Sequence, residues 1–272
     1  SESWFITIHG NVHHEEGRSV QETPDGGFII AGHTYANEDN GDIWLVKTDP
    51  KGNIDWTQTY GGEGDDHAYS VQITADGGYV IAGFSEALAE KWSDAWVIKT
   101  DSEGRVEWNR TYGGFRWDKA HHIRQTADGG YIITGYTFSH GSGNSDIWLI
   151  KADASGYPVW TNTFGGPDWE YGYAVQETSD GGFVITGFTE TEGKKSSRIW
   201  LVKTDNQGQE QWTKTFGSRE HNTGHFVQET ADGGYIVVGI TQSFFPNFED
   251  VLLIKTDATG EAIALSDGTV LL

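Results

Sequence analysis

Short stretches in which apolar and polar residues alternate, or in which a few apolar residues run together, recur along the whole chain. None shows the 3.6-residue spacing of an amphipathic helix. One set comprises Ala68–Gln72, Tyr79–Gly83, Ala95–Lys99 and Val106–Tyr112, separated by segments that carry Gly, Asp and Asn or Ser. Such runs predict four strands joined by turns. The set repeats: Asp-Gly-Gly stands at 25–27, 76–78, 128–130, 180–182 and 232–234, at spacings of 51, 52, 52 and 52 residues. A second phrase follows in every copy, Lys47-Thr48-Asp49, Lys99-Thr100-Asp101, Lys151-Ala152-Asp153, Lys203-Thr204-Asp205 and Lys255-Thr256-Asp257, each with a glycine three residues after the aspartate.

Four short strands at a period near 50 predict a propeller blade rather than a solenoid turn. The expected fold is all-β: one five-bladed β-propeller of four-stranded blades over residues 1–272, with repeats starting near 12, 63, 115, 167 and 219. Asp-Gly-Gly suits the first hairpin of each blade, because glycine takes positive φ without a Cβ clash. Outer-strand tryptophans stand at 4, 56, 108, 160 and 212, but the next place in that series is Ala264. The last copy thus lacks its own outer strand, and the segment 4–9 is expected to complete the fifth blade and close the ring. Together with Trp44, Trp96, Trp148 and Trp200 of the third strands, nine of twelve tryptophans are assigned to packing between blades.

Charge narrows the partners. Forty acidic residues against eighteen basic ones give a formal net charge of -22, which argues against nucleic acid and anionic membrane surfaces and leaves neutral or cationic ligands. No apolar run approaches the ~18 residues of a membrane span. With no cysteine there is no disulfide framework or thiol nucleophile. The absence of even an initiator Met is read as a cleaved leader or an expression boundary before Ser1. A monomer is expected.

In a four-stranded blade the near-identical turns fall on one face, while the other carries the loops that differ: 33–42, 84–94, 136–146, 188–198 and 240–250, with the segments entering each inner strand. Function sits on such loops. Aligning the inner strands on Val20, Val71, Ile123, Val175 and Val227 produces columns. Three residues earlier stand the small Gly17, Ala68, Ala120, Gly172 and Gly224. Two earlier stand Arg18, Tyr69, His121, Tyr173 and His225, and five earlier Glu15, Asp66, Asp118, Glu170 and Asn222. Seven of ten histidines lie in these windows. Trp92, Trp117 and Trp169, outside the packing series, fall on the same face, where an indole could stack on a sugar ring. The candidate ligand-binding set is therefore Arg18, His67, Tyr69, Trp117, His121, Trp169, Tyr173 and His225.

Each column also has a plain structural reading. An acid in nearly every copy can accept backbone N–H bonds in the loop that enters the strand. The catalytic alternative makes Glu15, Asp66, Asp118 and Glu170 the acids of a glycosidase, whose paired carboxyls stand roughly 5–5.5 Å or 6.5–9.5 Å apart depending on mechanism. The histidines lack any metal-ligand spacing, and no metal is assigned. Asn37–Asp42 has the oxygen density of a calcium loop without the EF-hand spacing or its closing Glu, so it is read as solvated, with calcium as the one candidate ion.

Residues 61–101, with Asp65-Asp66-His67-Ala68-Tyr69-Ser70-Val71-Gln72, Asp76-Gly77-Gly78 and Lys99-Thr100-Asp101, resemble secreted bacterial and archaeal β-propeller repeat proteins, often labelled PQQ-like. The resemblance covers nearly the whole chain and implies an extracellular or cell-surface location without assigning an activity. The Lys-Thr-Asp-x-x-Gly-x-x-x-Trp run looks like the tryptophan-docking motif of quinoproteins, but it is one residue short between Asp and Gly and those proteins have eight blades. PQQ is not expected, nor any other cofactor. Five-bladed glycoside hydrolases also place acids at inner-strand starts, although their blades are less alike than these. The leading expectation is a non-enzymatic propeller binding a glycan or other small ligand; the alternatives are a glycoside hydrolase and an adhesive scaffold for extracellular proteins.

Overall fold

The computed structural model describes residues 14–37, 40–89, 92–190, 196–217, 220–242 and 249–263. Among these there is no helix. Nineteen strands follow the sequence period. The first repeat gives β1 (Glu15–Glu22), β2 (Phe28–Asn37), β3 (Asn40–Thr48) and β4 (Ile54–Tyr60). The second gives β5 (Asp66–Ile73), β6 (Tyr79–Ser85), β7 (Asp94–Thr100) and β8 (Val106–Tyr112). The third gives β9 (Asp118–Gln125), β10 (Tyr131–Thr137), β11 (Asp146–Ala152) and β12 (Pro158–Phe164), and the fourth β13 (Glu170–Glu177), β14 (Phe183–Glu190), β15 (Ser197–Thr204) and β16 (Glu210–Phe216). The fifth gives β17 (Asn222–Glu229), β18 (Tyr235–Thr241) and β19 (Asp250–Thr256). They form four antiparallel sheets of four strands and one of three. The closing strand expected at 4–9 lies outside the described residues.

Contacts divide the chain into two compact units, Ser1–Gly130 with Asp153–Tyr157 and Tyr131–Ala152 with Pro158–Leu272. In the first, the core joins two sheets: Ile29, Ala31, Ile43 and Leu45 pack with Ala68, Val71, Ile81 and Ile98. In the second, Ile147, Leu149 and Phe164 pack with Val175 and Ile185, and Ile199 and Leu201 with Val227 and Val237. The middle strands β6 and β11 are buried along their whole length, which is why they read as apolar runs, whereas the outer strands β4 and β8 alternate.

Three devices join sheets within a unit, the third of them in the first unit, since Phe164 and Phe216 stand at the tyrosine positions of the second. An inner-strand glutamine accepts a backbone N–H of the following inner strand: Gln21 from Ile73 at 2.7 Å, and Gln176 from Glu229 at 2.7 Å. These bonds satisfy amides that no neighbouring strand can reach. The outer-strand indoles lie on the positive-φ glycine of the next repeat's second turn, so that a Cβ on Gly104 would come 2.8 Å from Trp56, and one on Gly208 2.5 Å from Trp160. Finally, the hydroxyls of Tyr60 and Tyr112 donate to the carbonyls of Gly104 and Gly156 at 2.6 and 2.7 Å.

The two conserved turn phrases within a sheet serve each other. The buried ammonium of Lys99 donates to Asp76 (2.9 Å), to Glu107 (2.7 Å) and to the carbonyl of Thr100 (2.9 Å). Lys47 meets Asp25, Lys203 meets Asp180 and Lys255 meets Asp232 in the same way. Partial burial works against ionisation of Asp76, yet the Thr74 hydroxyl, Lys99 and the Gly78 amide hold its carboxyl down at about 2; Asp180 is held there likewise.

Two outcomes are expected. Both Gly104→Ala and Gly129→Ala force a residue with a Cβ to positive φ, at about 1–2 kcal/mol, but nothing lies within 4 Å of a Cβ on Gly129. Urea unfolding should therefore show Gly104→Ala less stable than Gly129→Ala by roughly a further 1–3 kcal/mol, the cost of overpacking against Trp56. Because Asp76 and Asp180 are depressed in the folded state, their contribution is complete above pH ~4 and lost as pH falls through about 2. Acid unfolding curves of Asp76→Asn/Asp180→Asn should accordingly be flatter over that window than those of the parent.

Candidate functional site

The column two residues before each anchor has a structural cause. In β1, β5, β13 and β17 the pairing with the second strand slips by one residue, between Gly17 and Ser19, Ala68 and Ser70, Gly172 and Ala174, and Gly224 and Phe226. Arg18, Tyr69, Tyr173 and His225 are the extra residues of these bulges. A bulge leaves its residue out of the ladder and re-aims the side chain. It also brings the two backbones together: a Cβ on Gly32, Gly83, Gly187 or Gly239 would collide with the carbonyl of Glu16, His67, Tyr171 or Thr223. The small residues before the bulges answer crowding from the preceding sheet, since a Cβ on Gly172 would meet Thr134 and Ile147 at 2.6 and 3.0 Å.

In the first unit the re-aimed side chains form one tier: the Arg18 guanidinium lies 5.9 Å from the centre of the Tyr69 ring, and Tyr69 stacks on His121 at 4.6 Å. A second tier runs through the residues paired beside the bulges. Glu16 reaches Nε2 of His33 at 3.4 Å, His33 stacks flat on His67 at 3.8 Å and 4°, His67 packs on Phe84 at 5.0 Å, and the Lys119 ammonium stands 3.5 Å over that ring. Tyr35 closes over the stack, its hydroxyl 3.3 Å from Nε2 of His67. In the second unit the same two tiers read Tyr173 on His225 at 5.3 Å, and Tyr136 on Tyr171 at 4.0 Å followed by Phe188 at 4.9 Å. The partners His33, Phe84, Tyr136 and Phe188 were not singled out from sequence. They recur at spacings of 51, 52 and 52 residues, so aligning the second strands would have found them.

Burial shifts the titration of several of these side chains. It pushes His67 down to about 4, with stacked His33 adding to the effect, and lowers His33 against the pull of Glu16. Tyr69 is pushed up to about 12 by burial, and Lys119 is lowered by the same cause. Nδ1 of His33 is buried without a hydrogen-bond partner. At neutral pH the His33 and His67 rings are unprotonated, suited to C–H and π contacts rather than to proton transfer.

The tryptophans outside the packing series stand at the surface. Trp92 and Trp117 face each other at 4.5 Å and 43°, 42 % and 41 % exposed, with Phe115 more exposed still. In the second unit Trp169 meets the edge of Phe138 at 5.2 Å.

The acidic column is bound into its own loops. Asp66 accepts the Gly62 amide at 3.0 Å, and Glu170 accepts the Gly166 amide and the Thr189 hydroxyl, both at 2.9 Å. Asn222, in the same seat, accepts the Thr241 hydroxyl at 2.6 Å and donates to the carbonyls of Ser197 and Glu220. Asp66, Asp118 and Glu170 are buried, and Glu15 is partly exposed. Burial raises the carboxyls of Asp66 and Glu170. Among the described residues no group of three or more His, Cys, Asp or Glu is placed to hold a metal ion. The loop 37–42 is described only in part; within it the Gly41 amide donates to Asp65 at 2.9 Å.

No family model matches the sequence, and no curated protein matches it. Solved structures do. The WD40 domain of Pan2 from Neurospora crassa superposes with a TM-score of 0.57 at 9% identity, covering 92% of this chain and 65% of that one. A puromycin hydrolase gives 0.55 at 14%, over 91% of this chain and 38% of the other. An exo-β-1,3-galactanase from Phanerochaete chrysosporium, solved with galactose, gives 0.50 at 11%, over 92% and 65%. The chain has the fold of a β-propeller repeat protein. It spans between 38% and 65% of the length of these structures, and at such identities the likeness is one of fold.

With His67 and His33 lowered in the folded state, the unfolded chain takes up protons first as pH falls below 6.5. The contribution of these two histidines to stability should therefore rise from pH ~4 to ~6.5 and then level off. Nitrogen-15 NMR of the imidazoles, assigned with His67→Phe, should place the His67 midpoint near 4; a midpoint near 6.5 would mean that the stack does not hold.

Proposed function

We propose that this protein is an extracellular, non-enzymatic, five-bladed propeller that binds a neutral glycan on its variable loop face, the exposed Trp92–Trp117 pair supplying the stacking platform. That pair is the observation on which the reading rests. Two indoles exposed by about two-fifths are an unusual expense on a loop surface unless something covers them. Sugars present the C–H faces that such rings attract. The rows through Tyr69 and His121, and through Tyr173 and His225, add uncharged donors and acceptors, and the excess of 40 acids over 18 bases disfavours anionic ligands. Burial of Asp66, Asp118 and Glu170, with Asp66 and Glu170 tied to their own loop amides, supports a structural part for these acids.

For the ring, residues 4–9 are proposed as the fourth strand beside β19. Val251 and Leu253 of β19 are 80 % and 65 % exposed, whereas Ile43 and Leu45, four repeats earlier, and Ile147 and Leu149, two repeats earlier, are fully buried. An uncovered strand of that kind calls for a partner, and Trp4 continues the 52-residue indole series.

A glycan array on the intact protein, followed by calorimetry with the best hit, tests the reading. Trp92→Ala and Trp117→Ala should each weaken binding about fivefold, roughly 1 kcal/mol of stacking, while the melting temperature stays within a degree or two because both side chains are half outside the core. Binding unchanged in the double variant would remove the platform from the site. Release of reducing sugar that disappears in Asp66→Asn or Asp118→Asn would instead establish a hydrolase.

A further inference from the structure

Two of the acids at the start of the inner strands have acidic companions, Asp42 half-buried and Asp146 buried. A Cβ on Gly61 would stand against Oδ1 of Asp42 and 2.8 Å from Oδ2 of Asp66; one on Gly165 would stand against Oδ1 of Asp146 and 2.5 Å from Oε2 of Glu170. The two oxygens that flank each glycine are therefore within about 5 Å of each other. Asp42 opens the inward run of β3 and Asp66 begins β5, so the first pair bridges consecutive sheets of one unit, as Asp146 of β11 and Glu170 of β13 do in the other.

Two carboxylates so close in a buried seat cannot both remain charged at ordinary cost. Among the described residues, Asp66 is met by Asp42, the Ser85 hydroxyl and the Gly62 and Ala87 amides, and Glu170 by the Gly166 amide, the Thr189 hydroxyl, Asp146 and Asp168, with no cation among these groups. Asp146 additionally accepts the Ser142 amide at 2.7 Å. Oδ1 of Asp42 and Oδ1 of Asp66 are buried without a hydrogen-bond donor.

The fourth repeat supplies an internal control. At Gly217, 52 residues after Gly165, the seat is filled by the carboxamide of Asn222 alone, because its companion position is Arg198, which is exposed. The neutral amide takes the bond from Thr241 that Glu170 takes from Thr189. Where the seat is filled by an uncharged isostere, the companion acid is gone.

We propose that the pairs Asp42/Asp66 and Asp146/Glu170 each hold one proton at neutral pH, carried on one carboxyl and hydrogen-bonded to the other, so that the junctions between these sheets are neutral clasps that open when alkali removes the proton. Burial raises all four carboxyls, which agrees with this. The sign follows: a carboxyl raised in the folded state gives stability that is complete below its unfolded value of about 4 and is lost as pH rises toward the folded one.

Infrared difference spectroscopy of the whole protein between pH 5 and pH 10, with Asp66→Asn, Glu170→Gln and the double variant, decides it. The parent should show the C=O band of protonated carboxyls at pH 7 and lose it on the alkaline side; the double variant should lack most of that band at pH 7. Melting temperatures should coincide near pH 4.5, and the double variant should gain on the parent as pH rises to 9, because it keeps the amide and hydroxyl bonds without the second charge. Absence of the band at pH 7 in a folded parent overturns the proposal. So does a parent stabilised at pH 7 by added calcium or sodium when the double variant is not, since the pairs would then hold a cation. Should either single variant fail to fold, the parent's band and its pH dependence still decide.

Discussion

The β-bulge near the start of the inner strands β1, β5, β13 and β17 is the constraint from which the rest of the variable face follows. One extra residue cannot join the ladder, so its side chain turns away from the sheet, and Arg18 is thereby presented beside Tyr69 in one unit and Tyr173 beside His225 in the other. The bulge presses the inner strand onto the second one, which forces glycine at 32, 83, 187 and 239. It also advances the small residue before it against the preceding sheet. One backbone irregularity thus accounts for three columns of the sequence: the small residue, the variable side chain and the obligatory glycine.

Adhesion between sheets is divided by chemistry along each blade. On the face of constant turns it is polar and rigid, built from glutamine on backbone amide and tyrosine hydroxyl on turn carbonyl, with an indole laid on a glycine that has no Cβ to lift it away. These contacts require particular atoms, and the turn glycines and outer-strand indoles among them repeat. On the other face a stack needs only a flat surface. His33 on His67, Lys119 over Phe84 and Tyr136 on Tyr171 are three chemically different solutions of one geometric task. A scaffold that tolerates such exchange can vary the surface it shows to a ligand without losing the junction beneath.

The strand pattern, the turns and the separation of a constant from a variable face were legible in the sequence because each depends on local chemistry: positive φ at Gly26 and Gly104, apolar runs at β6 and β11, a hairpin aspartate held by the lysine of the next turn. The bulged column was legible too, though not its cause, since a register slip leaves no mark until the two strands are paired. His33 and Phe84 were harder to see. Each sits where a strand runs into a loop of variable length, and only contact with the following repeat gives it meaning. The pairing of Asp42 with Asp66 was hidden for the same reason: the two lie 24 residues apart, in strands of different sheets.

Charge is distributed with a logic that composition conceals. The hairpin aspartates such as Asp76 are more than half exposed, paired with a buried lysine and held far down, so they are ionised under any physiological condition. The inner-strand acids Asp66 and Glu170 are buried, face an acid of the preceding sheet and are pushed the other way. A count of 40 acids treats both kinds alike. The first kind fixes the hairpins and keeps the outer surface anionic, which costs little because water and lysine share the charge. The second kind sits where neither is at hand, and the amide at Asn222 shows what that seat asks for: an acceptor for the hydroxyl across the strand, a group that can also donate, and no net charge. A carboxyl meets all three requirements only when protonated, so proximity to a second carboxyl, ordinarily a liability, is what lets aspartate and glutamate serve there.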